Sequence, residues 1–101
     1  MENLSENIFR ENLNTRFTVS FGDGETVELE LIESTDHGST PKQEQFSIVF
    51  RGPLHPFLEQ MAYEMKHETL GDVFIFIVPV RQDPEFMYYE AVFNRFIEPN
   101  E

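Results

Sequence analysis

Apolar and polar residues alternate with a period of two along much of this chain, which is the pattern of half-buried β-strands. The alternation is clearest over residues 16–21 and 26–33. Between these stretches, residues 22–24 read Gly-Asp-Gly, a turn signal typical of β-hairpins. The sequence therefore predicts a first hairpin, and the polar positions of its second strand are mostly glutamates.

A polar loop over residues 34–44 separates this hairpin from a third predicted strand over 45–51. Gly52 and Pro53 end that strand, because proline has no N–H to donate to a ladder and glycine permits a sharp change of direction. The segment RGPLHP, residues 51–56, is therefore interpreted first as a corner and only second as a binding loop.

Residues 57–67 fit two different periods. Phe57, Met61 and Met65 are four apart, as on a helix, whereas Met61, Tyr63 and Met65 also alternate with polar or small residues, as on a strand. Periodicity does not decide between them. A strand over 60–67 is the prediction, and the reason for this choice is a family resemblance described below.

Two further strands are predicted over residues 73–80 and 87–94, and both are apolar on their two faces. Strands of this kind need cover on both sides. We expect the outer face of this hairpin to be covered either by the N-terminal segment or by a second copy of the chain. The N-terminal segment itself is predicted to be a short helix with Ser5 as its N-cap.

Together these elements predict an all-β, mainly antiparallel fold: a small six-stranded barrel or strongly bent sheet with one short N-terminal helix. The 101 residues are expected to form a single domain. Short connections favour a meander over a Greek key. The loop over 34–44 is the exception, and it is expected to be the connection that crosses an end of the barrel.

Charge and composition narrow the function classes. The net charge is −12, which disfavours binding to nucleic acid and to anionic membranes. The chain has no cysteine, no basic targeting segment and no apolar run of the roughly 20 residues needed to span a bilayer, so a cytoplasmic protein is expected. An alternative interpretation of the charge is an acidic inhibitor that imitates nucleic acid, with carboxylates on one strand: Glu25, Glu28, Glu30 and Glu33.

The residues give no pattern of enzyme chemistry. The three histidines are not spaced as metal ligands, and no nucleophile elbow or phosphate-binding loop is present. We expect no catalytic residues, no metal site and no cofactor.

Four polar residues lie in or beside otherwise apolar strands: Arg51, Tyr63, Glu90 and Asn94. A carboxylate in the middle of an apolar strand is costly to bury unless an arginine or several donors satisfy it. The favoured interpretation is an internal Arg51–Glu90 ion pair that fixes strand register. The alternatives are that these four residues line a small binding pocket, or that they are simply exposed to solvent.

The second half of the chain resembles an uncharacterised family of small bacterial domains, one of the domains of unknown function. The similar residues are F-S-I-V-F-R-G-P at 46–53, Gln60, Tyr63, His67, Leu70-Gly71, F-I-V-P-V at 76–80 and Y-E-A-V-F-N at 89–94. The resemblance implies a strand over 60–67 and an association with phage-tail-like genes, but no activity, substrate or cofactor. A non-enzymatic structural or protein-interaction module, monomeric or homodimeric and with a protein partner, is therefore expected.

Overall fold

The computed structural model describes residues 5–96 and contains one helix followed by six strands. The elements are α1 Glu6–Glu11, β1 Arg16–Phe21, β2 Glu25–Asp36, β3 Gln43–Gly52, β4 Met61–His67, β5 Gly71–Gln82 and β6 Met87–Phe96. All strand pairs are antiparallel, and their order β1-β2-β3-β6-β5-β4 closes because β1 also pairs with β4. The predicted all-β fold with a short N-terminal helix is confirmed.

The chain path differs from the meander that short connections favoured. Strands β1–β3 form one meander and β4–β6 another, but β3 pairs with β6 rather than with β4. The crossing connection is also a different one. Residues 37–42 simply join β2 to β3 as hairpin neighbours, whereas residues 53–60 carry the chain from β3 to β4 across the fold.

The crossing segment is tied to the core at its middle. Leu58 is buried, and its backbone N–H donates to the Tyr89 hydroxyl at 3.0 Å. Gly52 does end β3, as the sequence predicted, so the RGPLHP corner is the first part of this crossover. A side chain at Gly52 would not fit, because an added Cβ would come against the Leu29 Cδ2 atom.

The ambiguous segment 57–67 forms strand β4 from Met61 onward, which confirms the period of two. Tyr63, Met65 and His67 point into the barrel and are buried, while Glu64 and Lys66 are exposed. Burial of alternate residues, rather than helical spacing, therefore governs this part of the sequence.

Helix α1 packs against β2 and β3 and inserts Phe9 into the core. The Phe9 ring lies 6.0 Å from the ring of Phe46 and 5.5 Å from that of Phe93, centroid to centroid. Ser5 is the N-cap, and its hydroxyl accepts from the Ile8 N–H at 3.4 Å. Because the apolar side of the helix is used inside the barrel, the helix does not cover the outer face of β5 and β6. Of the two predicted covers for that face, the helix is therefore wrong, and a second copy of the chain stays a prediction.

The helix is also held by a partly buried carboxylate. The Glu6 Oε2 atom accepts from Arg10 Nη2 at 2.7 Å and from the Ser34 hydroxyl at 2.7 Å. The Glu6 backbone N–H donates to the Glu44 carboxylate at 3.0 Å. These contacts fix a helix of six residues, which would be marginal in isolation.

Candidate functional site

The four polar residues singled out in the sequence do not form one cluster. Arg51 Nη2 donates to Glu30 Oε1 at 2.7 Å, and no Arg51–Glu90 ion pair is present among residues 5–96. The reason is strand register: Glu30 lies directly opposite Arg51, whereas Glu90 lies opposite Val49. Arg51 therefore forms a cross-strand ion pair, but the pair is partly exposed and its carboxylate is Glu30 and not the predicted Glu90.

The other two residues of that set serve separate local contacts. The Tyr63 hydroxyl donates to the Glu59 backbone carbonyl at 2.8 Å, and burial raises the pKa of this phenol. Asn94 Oδ1 accepts from the Gln43 amide at 2.7 Å. Both hydrogen bonds join strands or their connections. Tyr63 and Arg51 line different cavities, and Asn94 lines neither of these two, so the residues do not share a pocket there.

A row of charged and aromatic side chains crosses the outer face of the barrel at the Arg51 level. Strand register places Arg16, Glu30, Arg51, Tyr88 and Arg81 side by side on β1, β2, β3, β6 and β5. The Arg81 guanidinium lies 4.1 Å from the Tyr88 ring centroid. The hydrogen bond that Arg51 donates to Glu30 is the main cause that raises the pKa of Arg51. Sequence spacing alone did not reveal this row, because its members come from five strands.

The turn between β5 and β6 is organised by Asp83. Its Oδ1 accepts from the backbone N–H groups of Glu85 and Phe86 at 2.9 and 2.7 Å, and its Oδ2 accepts from the Tyr88 hydroxyl at 2.7 Å. The Tyr88 hydrogen bond is the main cause that holds the pKa of Asp83 below its ordinary value. The same hydrogen bond raises the pKa of Tyr88. These groups are satisfied by one another, as expected of a structural turn.

His67 is the most enclosed histidine of the chain. Its Nδ1 accepts from the backbone N–H groups of Thr69 and Leu70 at 3.0 and 3.1 Å, and its Nε2 lies 2.8 Å from the Thr15 hydroxyl. That hydroxyl donates to the Asn12 carbonyl at 2.6 Å, so Nε2 is the protonated nitrogen of a neutral ring. Burial lowers the pKa of His67. Every polar atom of the ring is used to hold the β4–β5 turn and the α1–β1 connection.

The glutamates of β2 are partly neutralised. Glu30 pairs with Arg51, and Glu28 lies 3.5 Å from Arg16. A β-bulge between Leu31 and Glu33 changes the alternation, so Glu33 shares the outer face with Glu30 although the two-residue period separates them. The bulge lengthens the acidic row by one residue, whereas the two arginines reduce its charge.

The outer face of β5 and β6 carries large exposed apolar side chains, and we call it the apolar face. Phe74 and Phe76 on β5 are 73% and 51% exposed, and Val92 on β6 is 68% exposed. Phe76 and Val92 each lie two residues beyond the paired residues Val78 and Glu90, on the same side of the sheet. The sequence predicted cover on both faces of this hairpin, and no part of the described chain covers these residues on the outer face.

A groove lies where β1 and β4 separate, and we call it the β1–β4 groove. The ladder between these strands has only two residue pairs, Thr18 with Lys66 and Val19 with Met65. Beyond Val19 the strands diverge and leave a groove of about 610 Å³. Its walls come from the β1–β2 hairpin end, the end of the crossover and the start of β4, and they include Phe21, Glu25, Phe57, Glu59, Met61 and Glu64. Nothing in the alternation of residues signals this divergence, because it depends on how two distant strands meet.

Among residues 5–96, no three histidine, aspartate or glutamate side chains come together as a metal site. In the same part of the chain, no helix is long and apolar enough to cross a membrane.

The model of the domain of unknown function DUF6916 matches residues 4–93, most of the chain. The chain belongs to this family. The match covers every strand except the last residues of β6, and it confirms the resemblance to an uncharacterised domain family drawn from the second half of the sequence. Comparison of this DUF6916 chain with curated proteins and with solved structures gives no significant match.

Proposed function

We propose that this DUF6916 domain is a non-enzymatic protein-interaction module that binds a protein partner through the apolar face. The observation that carries the proposal is the exposure of Phe74, Phe76 and Val92 on one side of a hairpin. Apolar side chains that stay exposed next to one another are a feature of interaction sites. The partner is a structural protein, and the genes beside similar sequences suggest a phage-tail-like assembly in the cytoplasm.

The way in which the polar side chains are used supports a non-enzymatic role. His67, Asp83 and Tyr88 have the kinds of group that take part in catalysis, but their hydrogen bonds hold turns and neighbouring strands. The Arg51–Glu30 pair likewise joins β2 to β3. Chemistry at any of these residues would require breaking contacts that stabilise the barrel.

The apolar face also fits a second copy of the chain, so self-association is measured first. Sedimentation equilibrium of the intact chain is compared with that of the variant Phe74→Ser/Phe76→Ser. The variant Lys66→Ser is the matched control, since Lys66 is an exposed residue on the outer face of the neighbouring strand β4. A dimer that is lost only in the phenylalanine variant identifies the second copy as the partner.

If the intact chain is monomeric, affinity capture from the native host with the same three proteins identifies the partner. Contacts built on apolar area persist at high salt, whereas attraction between charges is screened. A partner that survives a high-salt wash and is lost from the phenylalanine variant supports the proposal. Capture of a nucleic-acid enzyme only at low salt, equally by all three proteins, would overturn it in favour of the acidic inhibitor.

A further inference from the structure

The β1–β4 groove combines free strand edges with a volume suited to a ligand. Strand β4 pairs with β5 along its whole length, from Met61 to His67, but its other edge meets β1 only at Met65 and Lys66. The edge of residues 61–64 on that side has no strand partner in the described chain. Unpaired strand edges are templates on which an added strand forms main-chain hydrogen bonds. The volume of about 610 Å³ lies within the range of about 300–1,000 Å³ that is typical of ligand sites.

The side chains around the groove indicate what an added strand would contain. Phe57 and Met61 are 52% and 49% exposed there, so the walls offer apolar contact area. The charged residues of the lining are Glu25, Glu59 and Glu64, and the lining contains no basic side chain. A segment that complements this groove therefore carries apolar residues between lysines or arginines.

We propose that the β1–β4 groove binds an extended basic peptide segment of another protein, which adds as a strand to the free edge of β4. The peptide backbone would pair with residues 61–64, and its apolar side chains would contact Phe57 and Met61. Its basic side chains would lie near Glu59 and Glu64. This site adjoins the apolar face, because Glu64 lies opposite Phe74 in the β4–β5 ladder. Variants distinguish the two surfaces, since Glu59 and Glu64 belong to the lining of the groove and Phe74 does not.

The probe is a capped six-residue peptide of alternating threonine and valine with lysine at both ends. Titration at millimolar concentration is followed by the amide chemical shifts of the intact chain. We expect saturable shifts centred on residues 61–64 and slower hydrogen exchange of these amides, because a paired backbone N–H exchanges slowly. The same peptide with glutamate ends should bind more weakly, and the peptide with N-methylated valines should not bind, since it lacks the donors that pair with a strand.

Charge reversal on the protein tests the recognition. The variant Glu59→Lys/Glu64→Lys should weaken binding of the lysine peptide by about tenfold. Loss of each exposed lysine–glutamate pair is expected to lower the affinity by roughly two- to fivefold. The matched control is Glu33→Lys, which reverses an exposed charge on β2 away from the groove and should leave the affinity unchanged.

Three outcomes would overturn the proposal: no saturable shifts with the lysine peptide, equal binding of the N-methylated peptide, or binding that Phe74→Ser abolishes and Glu59→Lys/Glu64→Lys leaves intact. The last outcome would place the peptide on the apolar face. If the apolar face proves to have no partner but the lysine peptide still binds, the proposed function fails and the groove proposal holds. If the apolar face has a partner and the peptide does not bind, the groove proposal alone fails.

Discussion

Arg51 and Glu30 face each other across β3 and β2, with Arg51 Nη2 2.7 Å from Glu30 Oε1. The Arg51 guanidinium also lies 4.4 Å from the ring centroid of Phe86. One side chain thus connects two strands of the first meander with the turn before β6. Since β3 joins the two meanders through its pairing with β6, this contact sits at the joint between them.

Replacing Glu30 with glutamine should lower the stability of the fold, because Arg51 then loses its charged partner. The loss should be small, since both side chains are partly exposed, and it should shrink at high salt. Chemical denaturation at low and high salt measures it. Glu90→Gln is the control, because Glu90 lies opposite Val49 and Val78 and forms no ion pair in the described chain. A larger effect of Glu90→Gln than of Glu30→Gln would contradict this assignment of the arginine's partner.

The contacts of Arg51 illustrate which features of the fold can be predicted from the sequence and which cannot. Alternation of apolar residues predicted the first three strands, since side-chain period follows directly from backbone geometry. The fourth strand was chosen over a helix on the family resemblance, and the last two were predicted from runs that are apolar on both faces. None of these patterns predicted that Glu30 rather than Glu90 pairs with Arg51. Pairing depends on register between strands that are distant in the chain, and a bulge such as the one between Leu31 and Glu33 shifts register without a clear sequence signal.

Gly52 should be intolerant of any side chain. Its added Cβ would contact the Leu29 Cδ2 atom, and Leu29 is fully buried, so the clash cannot be relieved by a move into solvent. We expect Gly52→Ala to destabilise the protein by about 1–3 kcal/mol, the usual cost of overpacking. Denaturant unfolding provides the measurement.

Making Gly52→Ala in a second chain that carries Leu29→Ala tests whether the clash with Leu29 causes the loss of stability, or whether alanine at this strand end is unfavourable in general. If the clash with Leu29 is the cause, Gly52→Ala should cost less in a Leu29→Ala chain than in the natural one, because the opposing methyl group is gone. An equal cost in both backgrounds would rule out the Leu29 contact as the reason.

Phe9 should be the residue through which α1 stabilises the barrel. Its ring is fully buried between Phe46 and Phe93, and truncation of a buried phenylalanine costs about 3–5 kcal/mol. Phe9→Ala should therefore lower the unfolding free energy strongly. Ile8→Ala, at a half-buried position of the same helix, is the control and should cost clearly less. Equal losses of unfolding free energy in the two variants would mean that burial of Phe9 is not the main way in which α1 stabilises the barrel.

The apolar face and the β1–β4 groove were harder to predict from the sequence than the strands. Apolar residues on both faces of β5 correctly marked an unusual hairpin, but the pattern gave no information on whether the helix or solvent meets Phe74 and Phe76. The helix has one dominant apolar side chain, Phe9, and the barrel interior satisfies it more fully than an outer face would. The β1–β4 groove had no signal, because alternation continues unchanged through Met61 and Tyr63 while the pairing to β1 stops at Met65.

His67 should make the stability of the fold depend on pH near neutrality. Burial lowers its pKa in the folded protein, so below about pH 6.5, the ordinary value for histidine, the unfolded chain binds more protons at this site than the folded one. The contribution of His67 is therefore present above about pH 6.5 and is lost as the pH falls toward the lower folded pKa. Protonation of Nδ1 would also break the hydrogen bonds from Thr69 and Leu70.

Thermal unfolding between about pH 5.5 and 8 tests this, in a range mostly above the titration of exposed carboxylates. The natural chain should lose stability on the acid side, whereas His67→Asn should show a shallower dependence, because asparagine keeps an acceptor for the Thr69 N–H and does not titrate. His55→Asn, at an exposed position of the β3–β4 crossover, should keep the natural profile. If His55→Asn flattens the profile and His67→Asn does not, the neutral, turn-holding ring of His67 is not the source of the pH dependence.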